Sequence, residues 1–123
     1  MQESPYKRTP LVARPFIAMR WVIAGFAAAL RHEMAFRLEV AAIAVLLPVG
    51  LYLGHTGIER ALLVGSLLLI LITELVNSGL EAAVDRISLE KHPLAKRAKD
   101  MGAAAVFISL VAAASTWLLI LLD

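Results

Sequence analysis

The sequence contains no cysteine, which excludes disulfide bonds and thiolate metal sites. It has no GxxxxGK[ST] phosphate loop and no glycine-rich kinase loop with a catalytic aspartate, so no soluble-kinase signature is present. Three prolines and three basic residues occupy positions 1–15, and no apolar core with a cleavage site follows them. We therefore expect an irregular cytoplasmic arm over residues 1–15 and no cleavable signal peptide.

Apolar residues are abundant and occur in long runs. They make up 60% of the 123 residues, against about 45–50% in an average soluble domain. The runs cover residues 40–53, 61–73 and 102–122, and the second continues as a helical pattern to residue 84. A spanning helix needs about 17–25 mostly apolar residues, and lipid keeps a proline-containing segment helical. The sequence therefore predicts an all-α membrane protein with spans at about 36–54, 60–84 and 101–122, with Pro48 kinking the first.

A fourth apolar segment is too short to cross a membrane. Arg20 and Arg31 leave only ten residues between them, and both lie on one helical face with Ala24 and Ala27. This pattern predicts an amphipathic helix on the membrane surface over about residues 16–32. Residues 16–123 then form a single membrane domain.

Basic residues predict the orientation of the bundle. All but one of the twelve Lys and Arg residues lie before the first predicted span or between the second and third, and Arg60 is the exception. Because cytoplasmic loops carry the excess of basic residues, we expect the arm and the second loop on the cytoplasmic side. The turn near Arg60 and the C-terminus then face the other side.

Acidic and amide side chains follow one face of the second predicted span. Glu74, Asn77, Ser78, Glu81 and Asp85 share this face at helical spacing. A carboxylate at the bilayer centre costs roughly 3 kcal/mol or more, so this row requires cations, water or a metal. An acid within a membrane helix is a functional candidate by default.

The other predicted spans have polar residues at the same membrane depth, namely Glu33, Arg37 and Glu39 at the start of the first and Lys99 and Asp100 at the start of the third. Carboxylate oxygens suit Mg²⁺, lysine and arginine bind phosphate, and a half-dry glutamate can act as a general base. The residues alone thus indicate a membrane bundle with a cytoplasm-facing acidic site that could use Mg²⁺.

Simpler interpretations of these charges remain open. Glu33 and Arg37 fit a helix surface pair equally well. Asp85–Arg86 and Lys99–Asp100 fit ordinary interfacial charges. His32, His55 and His92 are too scattered along the chain to indicate a metal site.

Three stretches resemble the prokaryotic diacylglycerol kinase family. They are residues 74–87 (ELVNSGLEAAVDRI), residues 95–106 (AKRAKDMGAAAV) and residues 33–39 (EMAFRLE). The ExxNSxxExxVDRI pattern is long and specific, and the resemblance covers the chain from about residue 14 to residue 122. The sequence departs from the family pattern at Gly79, Leu38, Ala27 and Ala103. These departures concern lipid contacts and local helix stability, whereas the acids of the site are all present.

This resemblance implies a homotrimeric bundle in the bacterial inner membrane. It also implies transfer of the ATP γ-phosphate to the hydroxyl of diacylglycerol, which gives phosphatidic acid, with Mg²⁺ as cofactor. Glu74 matches the general base, and Glu33 and Glu81 match the metal ligands. The implied site residues are, for catalysis, Glu74, Asn77, Lys99 and Asp100; for the nucleotide, Arg14, Trp21, Glu33, Glu81, Glu90, Lys91, His92, Lys99 and Asp100; and for the lipid, Arg37, Glu39, Glu74, Ala103 and Trp117.

Two alternative functions are compatible with the sequence. One is the undecaprenol kinase branch of the same family, with the same chemistry and a polyprenol acceptor. The other is a non-enzymatic proton or ion conduit that uses Glu74, Glu81 and Asp85. No acid lies deep in the outer half of any predicted span, which argues against a complete conduction pathway.

Overall fold

The computed structural model describes residues 2–123, with only the backbone at residue 6. After a short 3₁₀ turn at Pro5–Arg8, four helices follow: α1 (Arg14–His32), α2 (Met34–Leu53), α3 (Gly57–Ile87) and α4 (Pro93–Leu121). The described residues contain no strand. Helices α2, α3 and α4 are long and apolar enough to cross a membrane. The predicted all-α fold with three spanning helices and an additional N-terminal helix is confirmed.

The helix ends are set by local capping. At the start of α3, the Thr56 hydroxyl accepts a hydrogen bond from the Glu59 backbone N–H at 3.1 Å, which satisfies a donor that has no partner within the helix. At the start of α4, His92 Nδ1 accepts from the Leu94 N–H at 3.1 Å, and Pro93 occupies the first turn, where its missing N–H costs nothing. Helix α4 therefore begins well before the predicted span at 101, because capping rather than hydropathy sets its start.

One extended residue separates α1 from α2. Glu33 has φ −118° and ψ 108°, and α2 begins at the next residue. Helix α1, which precedes this break, packs against both α2 and α3. Helix α2 then continues through Pro48 to Leu53, as expected where lipid leaves the backbone no alternative hydrogen-bond partner.

Helix α3 is the centre of the bundle and packs against both α2 and α4. Its buried face contributes Leu67 and Ile70 to a core completed by Ile43 of α2 and Ala113 of α4. Towards the Gly57 end of α3, the Trp117 indole N–H donates to the Leu63 carbonyl at 3.2 Å. The three spanning helices are therefore joined along α3, which holds the row of acids between its neighbours.

Candidate functional site

Most of the charged residues of the spanning helices and their loops collect at one end of the bundle, called here the polar end. It consists of the α1–α2 junction at Glu33, the end of α3, the loop of residues 88–92 and the start of α4. Glu74 lies about 18 Å from Arg86 along α3, at 1.5 Å per residue. It is 9% exposed, and Asn77 and Glu81 are half-buried below it. Helix α3 thus carries its acids from the bundle interior out to the polar end.

Glu74 faces a second carboxyl group from α2. The Glu39 and Glu74 side chains lie within hydrogen-bonding reach of each other. Glu39 Oε2 is buried and has no hydrogen-bond partner. Two negative charges this close in an apolar environment would repel each other strongly unless a proton or a cation were shared between them. The pair is a place where a proton can be held beside Glu74.

Asn77 connects the acids of α3 to α4. Its Nδ2 donates to Glu81 Oε1 at 3.4 Å, one turn further along the helix. Its Oδ1 is buried without a hydrogen-bond partner and lies against Gly102 of α4. Just above, the Thr73 hydroxyl donates to Ser109 Oγ at 2.9 Å. Polar side chains from two successive turns of α3, Thr73 and Asn77, therefore face α4.

The end of α3, the following loop and the start of α4 enclose a cleft of about 760 Å³. This volume lies within the range of small-ligand sites. Lys99 Nζ donates to Asp85 Oδ1 at 2.7 Å across the cleft, and Lys96 Nζ donates to Asp100 Oδ2 at 2.6 Å. The charged residues that line the cleft are Asp85, Glu90, Lys91, Lys96, Lys99 and Asp100, and His92 lines it with them.

The cleft brings together five of the residues predicted to bind nucleotide. Those five are Glu90, Lys91, His92, Lys99 and Asp100. Glu81 is close enough to Lys99 for their charges to attract. Lys96 also lines the cleft but was not predicted as a site residue, and Asp85, which the sequence placed in the row of acids on α3, was not assigned to the nucleotide. The spacing of four residues between Lys96 and Asp100 could have indicated their pair, whereas the contact between Asp85 and Lys99 depends on how the loop folds.

A second groove, of about 540 Å³, lies between α1 and α3. Trp21 and Glu33 line it together with Ser78 and Gly79, whereas Glu81 does not. Within the described residues, Glu33 forms no ion pair with Arg37, so the surface-pair interpretation is not observed. One chain alone therefore does not place the two predicted metal ligands, Glu33 and Glu81, in a common cavity.

The remaining predicted residues lie away from Glu74 or on the exterior. The Arg14 guanidinium donates to the Thr9 carbonyl at 3.1 Å and to the Lys7 carbonyl at 3.0 Å, which holds the N-terminal arm. Arg37 and Ala103 are exposed near the polar end. Trp117 contacts Leu63, which is about 16 Å along α3 from Glu74. The structure thus does not bring Trp117 to the polar end.

The oxygen ligands available at the polar end suit a Mg²⁺ ion better than a metal ion held entirely by protein side chains. Within residues 2–123, no group of three or more His, Asp or Glu side chains converges to form a complete metal site. Mg²⁺ usually takes only one or two protein carboxylates and fills its other positions with water and phosphate oxygens. Glu81, oriented by Asn77 and close to the basic cleft, matches that requirement.

Together, these features define an all-α membrane protein with three spanning helices and an acidic and basic site at one end. Residues 20–121 match the family model described as prokaryotic diacylglycerol kinase. The chain is 49% identical to the diacylglycerol kinase of Pseudomonas aeruginosa over 122 residues, which cover 99% of both chains. It is 44% identical to that of Escherichia coli over 97 residues, which cover 79% of this chain and 80% of the relative.

The protein belongs to the prokaryotic diacylglycerol kinase family, and the resemblance seen in its sequence is confirmed. It is accordingly a membrane enzyme of a lipid kinase family.

Proposed function

We propose that this protein transfers the γ-phosphate of ATP to the hydroxyl of diacylglycerol and produces phosphatidic acid, with Mg²⁺ as cofactor. Its family and the printed names of its relatives support the lipid kinase class. The observation that carries the proposal is Glu74, a buried carboxyl group in a spanning helix whose polar face continues through Glu81 to a cleft of basic and acidic residues. A buried acid there can meet a lipid hydroxyl from the membrane and a nucleotide from water.

In the proposed reaction, Glu74 is the general base. It takes the proton of the lipid hydroxyl while that oxygen attacks the γ-phosphorus, the bond to the β-phosphate oxygen breaks and ADP leaves. Glu39 supports this role because its carboxyl group can hold a proton next to Glu74. Burial of Glu74 also excludes water, which would otherwise compete with the lipid for the phosphoryl group.

The charged cleft is the proposed nucleotide site. Lys99 would neutralise phosphate oxygens, and the loop with Lys91 and His92 would contact the rest of the nucleotide. Glu33 and Glu81 would hold Mg²⁺, which when bound neutralises charge on the transferring phosphate. Phosphoryl transfer depends mainly on such positioning and charge neutralisation, so a cleft of this kind is sufficient.

We further propose that the site is completed by a neighbouring copy in a homotrimer. Glu33 lines the groove between α1 and α3 and Glu81 does not, so a second chain could supply the missing carboxylate. Only 11% of the apolar stretch of α4 is buried within the chain, which leaves ample surface for neighbouring copies and lipid. The distribution of basic residues supports a polar end on the cytoplasmic side of the bacterial inner membrane, where ATP is available.

Radiolabelled ATP in mixed micelles tests this proposal. The full chain is incubated with Mg²⁺ and either diacylglycerol or undecaprenol, and labelled lipid is separated from ATP. We expect rapid labelling of diacylglycerol that stops when Mg²⁺ is chelated. Faster labelling of undecaprenol would contradict the proposed acceptor, and ATP-independent proton or ion flux without labelling of either lipid would contradict the kinase function.

A further inference from the structure

Gly102 of α4 lies directly against α3 near the polar end. A Cβ atom at this position would overlap Asn77 Oδ1, and it would lie 3.2 Å from Asn77 Cγ and 3.3 Å from Leu80 Cδ2. At Gly65 and Gly79 of α3, by contrast, an added Cβ would meet no atom within 4 Å. Gly102 is therefore a position where the absence of a side chain leaves room for one particular neighbour.

That neighbour, Asn77, has one orientation of its amide in this structure. A carboxylate only accepts hydrogen bonds, so the amide nitrogen must be the end that faces Glu81. Nδ2 lies 3.4 Å from Glu81 Oε1, and Oδ1 consequently points to α4, where it is buried without a hydrogen-bond partner. The space above Gly102 is what allows Oδ1 to occupy this position.

We infer that Gly102 is a positioning residue that holds Asn77 in the orientation in which its amide donates to Glu81. The inference rests on the proposed function, in which Glu81 helps to hold Mg²⁺ and the nucleotide. A methyl group at Gly102 would turn the Asn77 amide and leave the Glu81 carboxylate without its donor. Outer donors of this kind orient metal-binding carboxylates.

The effect of such a methyl group should appear in the site rather than in the fold. The atom that it would strike most closely is the end of a side chain and not the backbone. A side chain can rotate while the two helices keep their spacing. Gly102→Ala should therefore assemble normally and still bind the nucleotide poorly.

Nucleotide binding to the full-length protein in detergent tests the inference. A fluorescent ATP analogue with Mg²⁺ reports the dissociation constant, lipid phosphorylation gives kcat and KM for ATP, and thermal unfolding reports assembly. For Gly102→Ala we expect binding that is weaker by about ten- to a hundredfold, with a correspondingly higher KM and an unchanged unfolding temperature. Gly65→Ala is the matched control and should change none of these quantities.

A double variant separates positioning from a general effect of the methyl group. Asn77→Ala removes the side chain that the methyl group would displace. In that background, Gly102→Ala should add a further loss of less than about twofold, because residues that act through one another are not additive. The same additional loss in both backgrounds, or unchanged affinity in Gly102→Ala alone, would overturn the inference.

Two further results also decide the matter. If Gly102→Ala does not assemble, recovery of assembly in the double variant supports the contact, and failure of the double variant overturns it. If the wild-type chain phosphorylates no lipid, the proposed function fails and the inference falls with it. An active wild type combined with an insensitive Gly102→Ala rejects the inference alone.

Discussion

Glu39 and Glu74 meet between α2 and α3, although thirty-five positions separate them in the chain. The periodicity of the sequence predicted that Glu74 shares a face of α3 with Glu81, since residues three and four apart lie on one side of a helix. The resemblance assigned both Glu39 and Glu74 to the lipid, and the structure brings their side chains together. Such a contact could not be predicted, because it depends on the rotation of α2 about its own axis.

Replacement of Glu74 tests its role as the base. Glu74→Gln keeps the shape and the burial of the side chain but cannot take a proton. We expect kcat to fall by about 10²- to 10⁴-fold, whereas the dissociation constant for Mg·ATP and the unfolding temperature remain near those of the wild type. Steady-state kinetics and nucleotide binding measure both quantities, and turnover close to that of the wild type would refute the assignment.

Replacement of Glu81 should separate binding from chemistry. Glu81→Gln removes a charge that we assign to Mg²⁺, so the dissociation constant for Mg·ATP should rise by at least about tenfold, or about 1.4 kcal/mol. Titration of Mg²⁺ at fixed ATP measures the effect. Glu59→Gln, at the other end of α3, is the control for loss of a carboxylate, and an unaltered Mg²⁺ dependence in Glu81→Gln would contradict the assignment.

At the scale of elements, hydropathy predicted the three spanning helices but not where each helix begins. Apolar runs report which residues can contact lipid, whereas helices α3 and α4 start at capping residues outside those runs, Thr56 and His92. The ion pair between Asp85 and Lys99 likewise could not be predicted from the sequence, because it joins α3 to α4 across a separation of fourteen residues. The ends of helices, where this site lies, are thus the least predictable part of the fold.

Trp117 of α4 contacts α2 and α3 at the end of the bundle opposite the polar end. Its indole N–H donates to the Leu63 carbonyl, and its ring occupies the space beside Gly50, where a Cβ atom would lie 3.2 Å from the ring. Hydrogen bonds between membrane helices contribute about 0.6 kcal/mol on average and up to about 1.7 kcal/mol. Trp117→Phe, which keeps an aromatic ring, should therefore destabilise the bundle by about 1 kcal/mol.

Reversible unfolding in detergent measures this change. Because Trp117 lies far from Glu74, the dissociation constant for Mg·ATP should not change. A loss of nucleotide affinity without a loss of stability would instead indicate a direct role for Trp117 at the site.

At the scale of the whole molecule, the orientation in the membrane can be tested directly because the chain has no cysteine of its own. Single cysteines at Lys91 and at His55 lie in the two opposite turns and can be labelled with a membrane-impermeant maleimide. In spheroplasts, whose outer membrane has been removed and whose inner membrane is intact, we expect labelling of the cysteine at position 55 and no labelling at position 91. The reverse pattern would place the charged cleft away from cellular ATP.

The small enclosed core described above has a consequence for how this chain tolerates change. Outward positions such as Phe107 and Leu119, which are 66% and 75% exposed, touch little of their own chain. At outward positions that contact only lipid, one apolar residue can replace another with little effect on stability. Ser109, at 1% exposed, and Ala113 lie where α4 meets α3, and an added methylene there has nowhere to go. Substitutions along α4 should therefore be tolerated on its outer face. On the face that packs against α3, positions that do not tolerate substitution should recur about once per helical turn.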